Sequence, residues 1–221
     1  WSLVPRLGEL AIKNQVEAYN LPLGVISELY REIAGQRCGV LTKIGLGTFV
    51  DPRKDGGKLN PRTWEDLVDL IEIHNEEWLL YKTFPIDIAF IRGTTADQKG
   101  NISMEKEALT LDNLAIATAA RNSGGIVIAQ VEQVTETPLS PRQVEVPGIF
   151  VDYVVIAEPE NHAQTWVTDY DSAFAGKTRR KMEDTAVMQL DERKVIARRA
   201  AMELAKSVGG VVNLGIGMPE G

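Results

Sequence analysis

The fold is decided by two apolar runs, DIAFIRG (87–93) and IVIAQV (126–131), and by the segment ALTLDNLAIATAARNSGG (108–125) between them. Both runs are apolar on both faces, which is typical of buried strands in a parallel sheet. Residues 108–120 have helical spacing, and a glycine follows where a helix C-cap is expected. IFVDYVVIA (149–157) predicts a third strand. Strands that alternate with helices predict an α/β fold with an open, largely parallel sheet covered by helices.

The pattern on the N-terminal side predicts further elements. We expect helices over 5–15 and 25–34, because apolar residues recur there at helical spacing, and a short strand over 16–19. The runs 67–73 and 78–84 flank the turn-like HNEE and predict a hairpin, although a single helix over the same region also fits.

The C-terminal part changes character after residue 157. Residues 158–190 are polar and are interrupted by Pro159 and Gly176, so they predict a linker or excursion. Asp191 is a good N-cap for a following helix. VVNLGIGMPEG (211–221) has the order of a strand, a glycine turn and a helix start. We therefore expect a second α/β unit to begin near residue 191, and the fold to be incomplete at both ends.

The composition excludes several classes of protein. The net charge of −7 does not suit a nucleic-acid partner, which requires a clustered basic surface. The single cysteine excludes an intrachain disulfide and a thiolate metal cluster, and is consistent with the cytoplasm. No apolar run approaches the ~20 residues of a membrane helix, so we expect no membrane association.

The stretch IGLGTFVDPRKDGGKLN (44–60) predicts a long glycine-rich loop after a strand, a common form of binding loop. Arg53, Lys54 and Lys58 are able to meet an anionic ligand there. Asp51 and Asp55 nearly cancel their charge, so a surface excursion explains the stretch equally well.

Two other stretches carry polar residues at strand ends. In RGTTADQKGN (92–101), Asp97 and Asn101 suit an Asx-type turn, and a catalytic role is the lesser alternative. His74 and His162 lack neighbours at metal-ligand spacing, and we interpret both as surface or hydrogen-bonding residues. NLGIGMP (213–219) lacks the third glycine of a dinucleotide fingerprint.

Taken together and in order, four stretches resemble the acetate/propionate type of family I coenzyme A transferase. They are IGLGTFVDPRKDGGKLN, FIRGTTADQKGN, VPGIFVDYVV and DERKVIARRAAMEL followed by VVNLGIGMPEG. In that family one polypeptide carries two similar α/β halves. The resemblance implies that 1–157 is most of the first half and that 191–221 begins the second. It also implies a nucleophilic glutamate beyond Gly221, so we assign no catalytic residue and no metal ligand within this chain.

The resemblance further implies which residues contact substrate. Asn213 is expected to contact the substrate carboxylate, with Gly215 and Gly217 allowing close approach. Leu23 falls where many relatives carry glutamine, which predicts a more apolar pocket. The expected pocket wall consists of Gly45, Gly47 and Thr48.

The implied reaction moves CoA between an acyl-CoA and a short-chain carboxylic acid through an enzyme-bound glutamyl-CoA thioester. CoA is then a substrate and no cofactor is needed. Family relatives form dimers or tetramers. The open alternatives are an enzyme similar to a sugar-phosphate isomerase on a comparable α/β scaffold, and a fragment that is catalytically inactive.

Overall fold

A computed structural model describes residues 4–181, 183, 187–206, 209–213 and 215. The chain divides into two compact units, Trp1–Lys177 and Thr178–Gly221. The division falls within the predicted linker 158–190. The assignment of 1–157 and 191–221 to two halves of a transferase stays a prediction.

In the described part of the first unit, two α-helices come first, six strands follow, and a third α-helix precedes the last three strands. The helices are α1 (Pro5–Ile12), α2 (Leu23–Ala34) and α3 (Asn113–Asn122), with α4 (Glu192–Leu204) in the second unit. The strands are β1 (Gly39–Thr42), β2 (Val68–Ile73), β3 (Glu76–Lys82), β4 (Ile88–Arg92), β5 (Thr95–Asp97), β6 (Ile102–Ser103), β7 (Ile126–Val131), β8 (Gln133–Thr135) and β9 (Tyr153–Ile156). No described helix is long and apolar enough to cross a membrane.

The predicted hairpin is confirmed. Strands β2 and β3 pair antiparallel around His74 and Asn75, whose φ angles are 53° and 63°. Two consecutive positive φ angles give the turn geometry that matches the twist of a two-residue hairpin. Strand β1 pairs with the other edge of β3, and Leu79 and Tyr81 pack beneath α2. The alternative of a single helix over this region is wrong.

The parallel sheet is also confirmed, with strand order β4-β7-β9. Its buried side packs against α3 through Ala117 and Ala120, and Val127 is fully buried there. Helix α3 begins at Asn113 instead of residue 108. The delay has a local cause: the Lys106 amide donates to Thr94 Oγ1 (3.0 Å), and Leu111 has a φ of 49°, which a helix does not allow.

The prediction that these strands are buried on both faces is wrong for the described chain. Phe90 is 75% exposed and Tyr153 is 60% exposed, while Ile91 is 3% exposed. Alternate residues of a strand point to opposite faces, and α3 covers only one of them. Within the described residues, the other face of this sheet is apolar and open to solvent.

A third small sheet has the strand order β6-β5-β8. Along the chain, β5 follows β4 and β8 follows β7. The predicted strand over 16–19 is wrong: Tyr19 makes only an isolated antiparallel bridge to Lys58. This segment pairs with the edge of a loop, which is too irregular to continue a ladder.

In the second unit, the predicted N-cap is confirmed, because the Asp191 carboxylate accepts a hydrogen bond from the Lys194 amide (2.9 Å). The strand predicted at the start of 211–221 is absent from residues 211–213, which have no pairing partner within the described part of this unit. Leu214 lies outside the described residues.

Candidate functional site

The glycine loop, defined as residues 43–58, follows β1 and is organised around Asp51. The Asp51 carboxylate is 1% exposed. Its Oδ2 accepts from the Gly47 amide (2.8 Å) and from Arg53 Nη2 (2.7 Å), and its Oδ1 accepts from the amide (3.0 Å) and Nε (2.9 Å) of Arg53. Hydrogen bonds from Arg53 and from Gly47 hold the pKa of Asp51 well below its usual range. The charged carboxylate therefore holds two parts of the loop together by hydrogen bonds.

Next to the Asp51 carboxylate lies a tight turn over residues 45–48. It contains three predicted site residues, Gly45, Gly47 and Thr48. Thr48 Oγ1 donates to the Gly45 carbonyl (2.7 Å), and Gly45 and Gly47 have φ angles of 100° and 72°. A Cβ at Gly45 would overlap the hydroxyl of Tyr81 and the side chain of Val50. Gly45 therefore needs both the positive φ and the absence of a side chain.

Tyr81 supports the start of this turn from below. It is fully buried, and its hydroxyl donates to the Ile44 carbonyl (2.8 Å). Burial, and then the charge of Asp51, raise the pKa of Tyr81. The hydroxyl consequently stays protonated and acts as a donor.

The far end of the glycine loop is joined to the segment that leads into α2. The Asn20 amide donates to the Gly57 carbonyl (2.8 Å), and the Leu59 amide donates to the Ala18 carbonyl (2.9 Å). Leu23, the first residue of α2, is 83% exposed. Its neighbour Gly24 and the loop residue Ile44 line one groove of about 580 Å³. The groove is thus lined by chain neighbours of Leu23 and of the 45–48 turn, and not by those predicted site residues themselves.

The cations of the glycine loop are engaged within the protein. Arg53 is bound to Asp51 and also donates to Glu77 (2.8 Å). Lys54 donates to the Gly47 carbonyl, and Lys58 pairs with Asp66 (2.6 Å). Of the two alternatives left open by the sequence, the structure favours charges that hold the loop together over charges that await an anion.

The other predicted site residues lie in the second unit. Asn213 is exposed, and nothing lies within 4 Å of a Cβ built on Gly215. Gly217 lies outside the described residues. The roles predicted for these three residues stay predictions.

The structure shows a second polar cluster that the sequence did not predict, at the carboxyl ends of β4 and β7. Arg92 Nε donates to Glu107 (2.8 Å), and the buried His162 places Nε2 3.1 Å from the Gly93 carbonyl and Nδ1 3.1 Å from Gln130 Nε2. His162 is thus a hydrogen-bonding histidine, as predicted. A pocket of about 260 Å³ is lined by Arg92, Glu107 and His162 together with Lys106, Glu132 and Tyr170. The sequence offered one signal, Arg92 at a strand end.

Asp97 is structural. It is 4% exposed and accepts from the amides of Lys99 (2.9 Å) and Asn101 (3.0 Å), which confirms the Asx-type turn. Its other oxygen accepts from the Asn101 side chain (2.9 Å) and the Leu139 amide (3.2 Å). Among the described residues, no group of three or more His, Cys, Asp and Glu side chains is able to hold a metal ion.

The fold and the glycine loop point to a known class of enzymes, the CoA transferases. The chain belongs to the Coenzyme A transferase family, whose model matches residues 2–157. The resemblance seen in the sequence is thereby confirmed. Over 217 residues the chain is 52% identical to caffeate CoA-transferase of Acetobacterium woodii, covering 96% of this chain and 41% of that protein. It is 42% identical over 222 residues to acetate CoA-transferase YdiF of Escherichia coli (strain K12), covering 100% of this chain and 41% of that protein.

The fold agrees with a solved relative. The crystal structure of acyl-CoA transferase YdiF from E. coli O157:H7, a thioester complex with CoA, superposes with a TM-score of 0.80 at 41% identity. The match covers 92% of this chain and 40% of that one. The chain spans about two-fifths of the length of these relatives.

Proposed function

We propose that this chain is part of an enzyme that transfers CoA from a short-chain acyl-CoA to a free carboxylate such as acetate or propionate. The observation that carries the proposal is its identity of 42% to 52%, over 96% to 100% of its length, with two proteins named as CoA-transferases. CoA is a substrate in this reaction, and no other cofactor takes part. The resemblance also supports a homodimer or homotetramer that works in the cytoplasm.

The proposed reaction is nucleophilic catalysis by a glutamate located after Gly221. Its carboxylate attacks the thioester carbonyl, the C–S bond breaks, and CoA thiolate leaves behind an acyl-glutamyl anhydride. The thiolate attacks the glutamyl carbonyl, which releases the first acid as its carboxylate and forms the glutamyl-CoA thioester. The incoming carboxylate repeats these steps in reverse, so the thioester bond is conserved and ATP is not consumed.

The predicted site residues have distinct roles in this proposal. The Asn213 amide donates to the substrate carboxylate, and Gly215 and Gly217 let the backbone approach closely. The turn at 45–48 forms part of the wall around the acyl group, with Leu23 beside it. Such a wall must exclude water, which would otherwise hydrolyse the anhydride.

A larger, aromatic acid is a second candidate substrate. It is supported by the name of the relative that shares 52% identity, caffeate CoA-transferase. The exposed apolar Leu23 at the start of α2 also suits an aromatic ring better than a small polar acid. We expect Leu23→Gln to shift the preference towards acetate, by about 10-fold in the ratio of kcat/KM values.

The test is a transfer assay on the longer polypeptide that contains this chain. Propionyl-CoA is supplied with acetate or with caffeate, and the new CoA ester is quantified by chromatography. We expect parallel lines in double-reciprocal plots, as a ping-pong mechanism requires. Residues 1–221 alone serve as the control and should form no product. If the longer polypeptide forms no new CoA ester, or if residues 1–221 alone form one, the result would falsify the proposal.

A further inference from the structure

Asp51 lies where one buried carboxylate controls the shape of an exposed turn. Each oxygen accepts two hydrogen bonds, and one donor is the amide of Gly47, in the middle of the 45–48 turn. The backbone of Asp51 joins the same region, because its amide donates to the Thr48 carbonyl (3.1 Å) and its carbonyl accepts from the Gly56 amide (3.2 Å). Both ends of the glycine loop are therefore tied to this residue.

The Asp51 carboxylate holds a part of the turn that makes little packing contact, the backbone at Gly47. Gly47 has no heavy atom within 4 Å of a Cβ position, and Ile44 and Phe49 on either side are 59% and 45% exposed. Glycines at positive φ have more backbone freedom than other residues. The start of the turn is packed, because Gly45 lies against Tyr81 and Val50. The hydrogen bond from Gly47 to Asp51 therefore fixes the backbone at Gly47, which packing does not fix.

The pair of Asp51 and Arg53 is buried on the carboxylate side only, because Arg53 is half exposed, and such a pair is weak evidence of a purely stabilising role. Taking the Asp51 carboxylate out of water is costly, and apolar residues of similar volume often stabilise a fold as well or better. The Asp51 carboxylate contacts the turn itself, because it accepts a hydrogen bond from the Gly47 amide (2.8 Å). This contact suits a role in which Asp51 selects one conformation of the turn.

We propose that Asp51 is a positioning residue that sets the size selectivity of the acid pocket by holding the 45–48 turn in one conformation. The inference rests on the proposed function, because the turn is a predicted wall of the pocket for the acyl group. Asp51 acts through Gly47 and does not touch substrate. Loosening the turn should admit larger acids more readily and hold small acids less well.

The test compares Asp51→Asn with Asp97→Asn in the longer polypeptide. Asp97 is a suitable control because it is also buried, also accepts four N–H donors and also closes a turn, but in another loop. The readout is the ratio of kcat/KM for acetate to kcat/KM for a larger acid. A loss of stability lowers both values equally and leaves the ratio unchanged, whereas a displaced pocket wall changes it.

We expect Asp51→Asn to lower the ratio by about 5-fold or more, since one methylene in an apolar pocket is worth about 10-fold or more in discrimination. Asp97→Asn should leave the ratio at the wild-type value. An unchanged ratio in Asp51→Asn, or an equal change in both variants, overturns the inference. If the wild-type polypeptide transfers no CoA, the proposed function has failed, and that outcome is read from the wild type alone.

Arg53→Lys provides a second variant if Asp51→Asn does not fold. Arg53 is half exposed, and lysine keeps the positive charge but loses the fork that contacts both oxygens of Asp51. The ratio should fall in the same direction by a smaller factor. A wild-type ratio in a folded Arg53→Lys variant contradicts the inference.

Discussion

Phe90 and Ile91 are neighbours on β4 whose side chains point to opposite faces of the parallel sheet. Phe90 is 75% exposed, whereas Ile91 is 3% exposed and packs in the core against α3. The two positions share one strand and one set of backbone hydrogen bonds. They therefore allow a direct comparison of the open face with the buried face.

The expected costs follow from these exposures. A fully buried Phe side chain hides about 150–250 Å², and a quarter of that area is worth about 1–1.5 kcal/mol at ~25 cal/mol per Å². Phe90→Ala should cost no more than this. Ile91→Ala removes a buried side chain and leaves a cavity, so it should cost about 2–5 kcal/mol.

The assay is urea unfolding of residues 1–221, followed by tryptophan fluorescence, which reports the first unit through Trp64, Trp78 and Trp166. The free energy of unfolding is extrapolated to water, with the slope checked for constancy among the variants. A loss for Phe90→Ala as large as that for Ile91→Ala would refute the reasoning. It would mean that the open face is covered in solution.

Three further predictions concern the loop, the second unit and the dependence on pH. Gly45→Ala should lower the free energy of unfolding by about 1–3 kcal/mol, because a non-glycine residue is strained at this φ, whereas Gly24→Ala, with open space around its Cβ, should raise it by about 0.4–1 kcal/mol. Asp191→Ala should destabilise α4 by about 1 kcal/mol through loss of the bond from Lys194, seen as reduced helicity by circular dichroism. Burial raises the pKa of Asp97, but its hydrogen bonds lower it by more, so the folded pKa lies below the unfolded value of about 3.9. The free energy of unfolding should therefore fall as the pH drops below about 3.9 towards the folded pKa, and fall less steeply in Asp97→Asn. Equal slopes of the free energy of unfolding against pH in the two proteins would contradict this.

The elements that the sequence predicted well are those whose signals are local. The hairpin depends on two apolar runs and on turn residues that tolerate positive φ, all within residues 67–84. The helix cap at Asp191 depends on a side chain and an amide only three residues away. Periodicity and turn chemistry determine such features with little help from the rest of the chain.

The features that the sequence missed depend on distant partners. Phe90 reads as buried because its strand is apolar, but its exposure depends on which helices cover the sheet. His162 was predicted as a surface or hydrogen-bonding residue, but its burial and its partner Gly93, 69 residues away, were not predicted. In the glycine loop, the charges visibly balance in the sequence, but only the structure shows that Asp51 lies buried and binds Gly47.

The central claim is that the proposed enzyme works through a CoA thioester on a glutamate beyond residue 221. The most direct measurement is mass spectrometry of the longer polypeptide after incubation with propionyl-CoA and no acceptor acid, followed by digestion and location of the adduct. We predict one CoA moiety per active site, attached to a glutamate in a peptide that follows Gly221 and lost when acetate is added. A CoA moiety attached within residues 1–221, or CoA transfer with no covalent intermediate, would contradict the claim.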